Sequence, residues 1–316
     1  LRGAVHPCIF AAYYRLLQLL QLDSAWLIAY GPRLLQAIAA SSADLAVYRT
    51  ARALYGAEVA TWAAAVQLGG WFQFYCMPRT YSNSMEAVFM ALAMECWLVH
   101  GMRSRRVALL FGSLCVVLRP TAAIFWITLV LHDVQAHLCV EPPPSLSRRA
   151  CSLLQHVLIP GFIISCSFIA LSAVVDSAIY GRLVFVPWNF ARFNLLQDGG
   201  AFYGSHPWYW YATEGILVTL GTFLPFTVVG LWRTARTSGT SAVRGPYLAA
   251  VAAVAVLSLA SHKEYRFLLP FLPLASLPTA MGLAAAASGC CAGRRRRACL
   301  CLAVFGPQLL AALFFA

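Results

Sequence analysis

The sequence predicts an all-α polytopic membrane bundle of about ten transmembrane spans, and three observations predict it. Hydrophobic residues make up 61% of the 316 positions and charged ones only 11%, less than half of what a soluble domain uses to coat its surface. The apolar residues run in blocks of roughly 17 to 25, the length a helix needs to cross a bilayer core. Within those blocks they do not alternate, which excludes a transmembrane β-barrel.

The expected spans are 24–47, 57–77, 84–101, 106–118, 121–138, 152–178, 214–232, 246–261, 266–287 and 298–316. Pro32, Pro160 and the series Pro270, Pro273 and Pro278 would kink their helices unless neighbours take up the freed carbonyls. The short fourth span and the fifth read as two helices or as one broken element around Arg119-Pro120. Arg33, Asp44, Glu86 and Glu95 fall inside spans and require partners; for Arg33 the plainest is an acidic side chain. The whole chain, 1–316, reads as one domain.

The net charge of +12 comes from 22 arginines and a single lysine, Lys263, against 11 acidic residues. When the spans alternate sides, the gaps near 49–56, 102–106, 139–151, 233–245 and 288–297 fall together and hold 14 of those arginines. Short arginine-rich gaps mark the cytoplasmic side. None is long enough to fold as a nucleic-acid module, so nucleic acid is not an expected partner; the lipid bilayer is. The eleven cysteines contain no C-x-x-C pair, and neither a zinc site nor a disulfide framework is indicated. Cys290, Cys291, Cys299 and Cys301 flank the Arg294 run and read either as juxtamembrane acylation sites or as small apolar residues. No metal or cofactor is expected.

The opposite gaps carry the chemistry. Arg79-Thr80-Tyr81-Ser82-Asn83 and Leu118-Arg119-Pro120-Thr121 each end a span on an arginine. The long gap contains Asn189 to Asn194 and the run Phe202-Tyr203-Gly204-Ser205-His206-Pro207-Trp208-Tyr209-Trp210-Tyr211. The last is Ser261-His262-Lys263-Glu264-Tyr265-Arg266-Phe267. The aromatic run reads as an interfacial belt or as a shaped surface for sugar rings, whose C–H faces are apolar and whose rims are polar. The last gap reads as a solvated helix end or as an anion site. Lys263 argues for the second, because arginine serves wherever a plain positive charge suffices, and a compact ammonium suits a phosphate oxygen. Arg79 and Arg119 snorkel at the interface if alone; converging with His262 and Lys263 they would grip a phosphate.

The segment Ser261–Phe267 resembles the H-K-E-x-R-F motif of glycosyltransferase family 22, GT-C-fold enzymes of the endoplasmic reticulum that take mannose from dolichyl-phosphate mannose. Arg79-Thr80 with Asn83-Ser84-Met85-Glu86, Arg119-Pro120-Thr121-Ala122, Asn189-Phe190 through Gln197, Phe202 to Tyr211, Gly221-Thr222 and Leu224-Pro225-Phe226 are similar to a member whose acceptor is a GPI-anchor precursor. The resemblance implies inverting, α1,2-linked transfer of the third mannose on the luminal side of that membrane. It places His262, Lys263, Arg266, Arg79 and Arg119 at the donor phosphate, and Asn194, Tyr203, His206, Trp208, Trp210 and Glu264 in the sugar or acceptor cleft. The family's H-P-D-E-type motif, with the presumed catalytic base, has no match here. His6-Pro7 is followed by Cys8-Ile9, and the chain reads as a fragment lacking the first span and that carboxylate, inactive by itself. Members acting on the lipid-linked N-glycan precursor are the nearest alternative. Without the resemblance, a polytopic transporter or lipid scramblase fits the same spans, although paired broken helices in two similar halves, the mark of many transporters, are not seen.

Overall fold

The computed structural model describes residues 3–138, 151–196, 199–236, 241–289 and 294–315. Among them there are helices and no strands. Helix α1 is Val5–Leu19, α2 Ala25–Tyr55, α3 Ala57–Gly69, α4 Trp71–Cys76, α5 Ser82–Val99, α6 Gly101–Leu118 and α7 Ala122–Leu138. A π-helical turn, Leu154–Leu158, leads into α8 (Ile159–Tyr180), and α9 is Val186–Ala191. Then come α10 (Ile216–Leu220), α11 (Leu224–Arg236), α12 (Ser241–Leu259), α13 (Leu272–Gly289) and α14 (Arg294–Phe315).

The ten expected stretches are mainly helical where described, but four helical runs are long and apolar enough to cross a membrane unaided: Cys151–Tyr180, Tyr211–Arg236, Tyr265–Ser288 and Arg297–Phe315. The others fall short for identifiable reasons. The second stretch breaks at Gly70 between α3 and α4, α5 carries Glu86 and Glu95, and α6 opens with Arg103, Arg105 and Arg106. Arg119-Pro120 separates two helices joined by a turn, in which Arg119 N–H donates to Cys115 O and Ala122 N–H to Arg119 O.

Small residues bring the helices together. Ala40, Ala43, Ala46 and Ala51 of α2 share one core with Ala60 and Ala63 of α3 and Ala87 and Ala91 of α5, closed by Met90, Met94 and Phe125. Close backbone approach gains dispersion energy where lipid tails give no hydrophobic drive. Among the described glycines the tightest approach to another helix's main chain joins α11 to α13. A Cβ on Gly230 would stand 1.7 Å from Pro278 O, and one on Gly282 2.0 Å from Phe226 O. Thr227 and Thr279 hydroxyls bond across the same seam at 2.7 Å. The Tyr265–Ser288 run is thereby largely enclosed, whereas the Cys151–Tyr180 and Arg297–Phe315 runs keep most of their surface outward.

Interrupted backbone is answered by side chains. Pro32 offers no N–H to Ile28 O, and Tyr14 donates to that carbonyl instead at 3.4 Å. Gln308 of α14 serves two breaks at once. Its Oε1 accepts from Trp71 N–H at 3.1 Å, and its Nε2 donates to Leu220 O at 2.8 Å and Thr222 Oγ1 at 3.1 Å. Gly221 between them has φ +53°, and a Cβ there would lie 2.9 Å from Gln308 Nε2. Three intramembrane acids find arginines: Glu95 pairs with Arg49 at 2.7 Å, Asp133 with Arg105, and Glu86 with Arg119 at 3.4 Å, whereas Asp44 is partnered by Gln67 and Asp176 accepts from Ala4 N–H at 2.6 Å. The expected partner for Arg33 does not appear: it stands exposed on α2, and no ion pair is formed with it among the described residues.

The α11–α13 seam makes a testable statement. Gly230→Val must push against main chain and is expected to cost about 3 kcal/mol or more. Gly306→Ala, in α14 with nothing within 4 Å, should be neutral or slightly stabilising. Thermal unfolding of both variants in detergent measures the difference; equal melting temperatures would refute the close-packed seam.

Candidate functional site

Four segments from the end that the arginine count assigns to the non-cytoplasmic side meet at one place. The α4–α5 connection is pinned by Ser84 Oγ, which donates to Cys76 O at 2.7 Å, and by the turns Arg79 N–H to Cys76 O and Tyr81 N–H to Arg79 O. This holds Arg79 with its guanidinium 3.7 Å above the Tyr75 ring and its Nε donating to Tyr75 O. Arg119, at the end of α6, donates from Nη1 to Asn83 Oδ1 at 3.0 Å, pairs with Glu86 and lies 4.7 Å above the Phe267 ring. Arg266 faces the Tyr81 ring at 5.6 Å. The first, second and last of the predicted segments are therefore in contact.

The 202–211 run joins them from the other side. His206 N–H donates to Ser261 O at 3.0 Å, Lys263 Nζ donates to His206 O at 2.9 Å, and His262 Nδ1 lies 3.3 Å from Gly204 O. Trp210, 5% exposed, packs on Tyr211 and Leu268 and against the Tyr265 ring. His206, exposed, stacks on the Trp210 indole at 4.7 Å with 28° between the rings. Asn194 reaches the same place: a Cβ on Gly200 would touch both Asn194 Oδ1 at 3.6 Å and His262 Cβ at 3.2 Å. Its amide donates to Phe190 O. Trp208 is 71% exposed on the rim, and the Tyr203 side chain lies outside the described positions.

Within the motif the charges partner one another. Glu264 Oε1 accepts from His262 Nε2 at 2.9 Å and from Arg266 Nη2 at 2.7 Å, and Oε2 contacts Arg266 Nε. With Glu264 at Nε2 and Gly204 O at Nδ1, both ring nitrogens of His262 face acceptors; a neutral imidazole donates to one, an imidazolium to both. Burial pushes the Glu264 carboxyl up, but the hydrogen bonds and charges of Arg266 and His262 outweigh it and leave it below the ordinary carboxylate range. Lys263 was expected beside a phosphate. The structure buries it to 3% exposure and sets its ammonium on two carbonyls, Ala260 O at 2.5 Å and His206 O at 2.9 Å. Burial also lowers the pKa of that ammonium. Arg79 is the half-buried cation here with no carboxylate against it among the described residues.

Comparison with known proteins gives the cluster its context. The family model described as the Alg9-like mannosyltransferase family matches residues 1–316. The chain belongs to that family. It is 39% identical over 278 residues to GPI alpha-1,2-mannosyltransferase 3 of Xenopus laevis, covering 87% of this chain and 49% of that one. To the protein of the same name from Homo sapiens it is 37% identical, covering 86% of this chain and 46% of that one. To Mannosyltransferase APTG1 of Arabidopsis thaliana it is 33% identical, with coverage of 87% and 48%. The chain spans about half the length of the curated relatives it matches. Among solved structures, ArnT from Cupriavidus metallidurans bound to undecaprenyl phosphate superposes with TM-score 0.64 at 16% identity, over 89% of this chain and 50% of that one. The Archaeoglobus fulgidus oligosaccharyltransferase superposes with TM-score 0.56 at 15% identity, over 98% and 46%. The chain therefore has the GT-C membrane fold.

Sequence reasoning named Asn83, Glu86 and Tyr211 but gave them no role in the site. Asn83 and Glu86 fix Arg119 from inside α5, and the buried Tyr211 hydroxyl lies 3.4 Å from Glu264 O. Glu214 accepts from the Tyr265 hydroxyl at the cluster's edge. Their signals were membership of the resembling segments, for Asn83, Glu86 and Tyr211, and position near a span's end, for Glu214. No group of three or more metal-ligating side chains occurs among the described residues.

The lowered Glu264 carboxyl fixes the sign of a pH effect. Its folded pKa lies below its unfolded value of about 4.3, so its stabilisation is complete above that pH and is lost as pH falls through the folded value. Glu264→Gln should melt below wild type by a constant interval from pH 8 to about 5, with the gap closing at lower pH. Melting curves across that range check it; a gap that widens on acidification would refute the pairing.

Proposed function

We propose that this chain carries the donor- and acceptor-binding part of an enzyme that transfers mannose from dolichyl-phosphate mannose to a GPI-anchor precursor. The transfer adds the third mannose in an α1,2 linkage with inversion, at the luminal face of the endoplasmic reticulum membrane. The observation that carries this reading is the convergence of Arg79, Arg119, His262 and Arg266 with an aromatic shelf at one end of a lipid-embedded bundle. The relatives named for GPI α1,2-mannosyl transfer supply the acceptor, and the fold shared with a protein holding undecaprenyl phosphate supports a polyprenyl-phosphate donor.

The chemistry follows from the leaving group. Breaking the bond from mannose C1 to phosphate oxygen puts negative charge on the phosphate, and cations already in place stabilise that charge without reorganising. Arg79 carries most of this role, because Arg119 and Arg266 each share their charge with a carboxylate. His262 and Arg266 flank the same phosphate, and Lys263 adds its charge from below. Asn194, His206 and Trp208 line the sugar and acceptor side, with Trp210 packed behind His206, where ring faces meet apolar C–H faces and polar tips meet hydroxyls. Glu264 holds His262 and Arg266 in register at the boundary. The acceptor hydroxyl gives up its proton to a carboxylate within about 3 Å, while attacking C1 from the face opposite the phosphate.

The test is transfer by the full-length protein in membranes, with labelled dolichyl-phosphate mannose and either a dimannosyl GPI precursor or the lipid-linked N-glycan precursor. Label should enter only the GPI acceptor and be released by an α1,2-mannosidase. Arg79→Ala should lower transfer about 10²-fold, the scale seen when a single charge-stabilising donor is removed, at unchanged protein level. Elongation of the N-glycan precursor alone would assign the protein to its sister activity. Lipid translocation without transfer would move it out of the enzymes altogether.

A further inference from the structure

Lys263 is the single lysine of the chain, and its surroundings are not those of a substrate-facing cation. It is 3% exposed, and two of its three N–H groups are committed to backbone carbonyls. One belongs to Ala260, just past the end of α12, where the last carbonyls of a helix lack intrahelical partners. The other belongs to His206, fifty-seven positions earlier in the chain. The same His206 gives its own N–H to Ser261 O. Both main-chain polar groups of His206 are thus taken by the motif, one on each side of His262.

This fixes one imidazole in space. With its backbone held at both groups and its ring stacked on a buried tryptophan, His206 has lost most of its freedom before any ligand arrives. Its own ring nitrogens make no hydrogen bond among the described residues, and the residue is exposed. A lysine buried at this cost in hydration has to repay it through its bonds; one anchors it on the end of α12 and the other holds the 204–206 turn.

We infer that Lys263 is a positioning residue that acts through His206: it staples the 204–206 turn to the end of α12 so that the His206 imidazole stands ready in the cleft to hydrogen-bond a polar group of the bound sugar phosphate. The inference rests on the proposed cleft for its substrate but not for its geometry. It replaces a direct phosphate contact as the main work of Lys263, and it explains the choice of residue. A flexible stem with a point-charge tip can straddle two carbonyls in a confined space, whereas the planar guanidinium used everywhere else in this chain is wider and directional.

Two independent measurements decide it, both on the full-length protein in nanodiscs. The first is amide hydrogen exchange, which needs no activity. Lys263→Met keeps an unbranched stem one atom shorter and removes the donors, and should raise exchange across 204–206 at least tenfold while the α2–α5 helices stay protected. His206→Ala should leave that backbone protection within about twofold of wild type. The second is transfer kinetics. Lys263→Met and His206→Ala should each lower kcat more than they raise the donor KM, and the double variant should be no slower than the worse single one, because both remove the same imidazole from its place. If Lys263→Met does not reach the membrane, Lys263→Arg makes the same comparison with the charge kept. Slower transfer with undisturbed 204–206 exchange, or losses that multiply in the double variant, would overturn the inference in favour of direct contact. Absence of transfer from the wild type would count against the mannosyl-transfer reading alone, since the exchange result stands without it.

Discussion

A helix that breaks inside a bilayer must find a partner for every main-chain N–H and C=O it releases, because hydrocarbon supplies none. The structure is organised around the places where this demand is met by a side chain from elsewhere. Gln308 answers the breaks at Gly70 and Gly221 together, and so locks α4, α10 and α14 to one another. Tyr14 takes the carbonyl that Pro32 releases, which seats α1 on α2. Ser84 closes α4 against α5. Lys263 closes α12 against the 204–206 turn. Remove these four kinds of bond and the bundle keeps its apolar faces but loses the relative heights of its helix ends.

Those heights matter because the charged part of the candidate site is made of helix ends. Arg79 follows α4, Asn83 opens α5, Arg119 follows α6, and the 262–266 residues follow α12. No single helix contributes more than a corner. Buried ion pairs work in the same direction: Glu86 with Arg119 ties the top of α5 to the end of α6, while Glu95 with Arg49 and Asp133 with Arg105 tie the opposite ends. Pairs of this kind are costly to desolvate and costly to break singly, so they contribute register more than net stability. A site assembled this way is rigid where the backbone bonds are and adjustable at its exposed rim, where Trp208 and Tyr209 project.

The partition of cations follows the same economy of placement. The motif at 262–266 looked, as a string of letters, like a concentrated positive patch. In space Glu264 takes two of its members and the protein interior takes the third, which leaves Arg79, remote in sequence, as the half-buried cation without a carboxylate among the described residues. Clusters of charge in a sequence state which groups are near, not which way they face.

The sequence by itself determined the fold class, the positions of the apolar stretches and the four segments that form the site. Block length, hydropathy and the sidedness of arginine are properties of the chain that any membrane reads in one way. It could not determine that Arg33 goes without an acidic partner among the described residues, that Arg119 rather than Arg33 takes Glu86, or that α3 and α4 are separate helices pinned by a glutamine 237 positions away. Nor could it say that Lys263 points into the protein. Each of those facts depends on which residues become neighbours once helices pack through small side chains, and neighbours of that kind are separated in sequence by whatever lengths the loops happen to have. Polar residues near span ends were visible from the start; only packing decided which of them satisfy one another and which are left to meet a ligand.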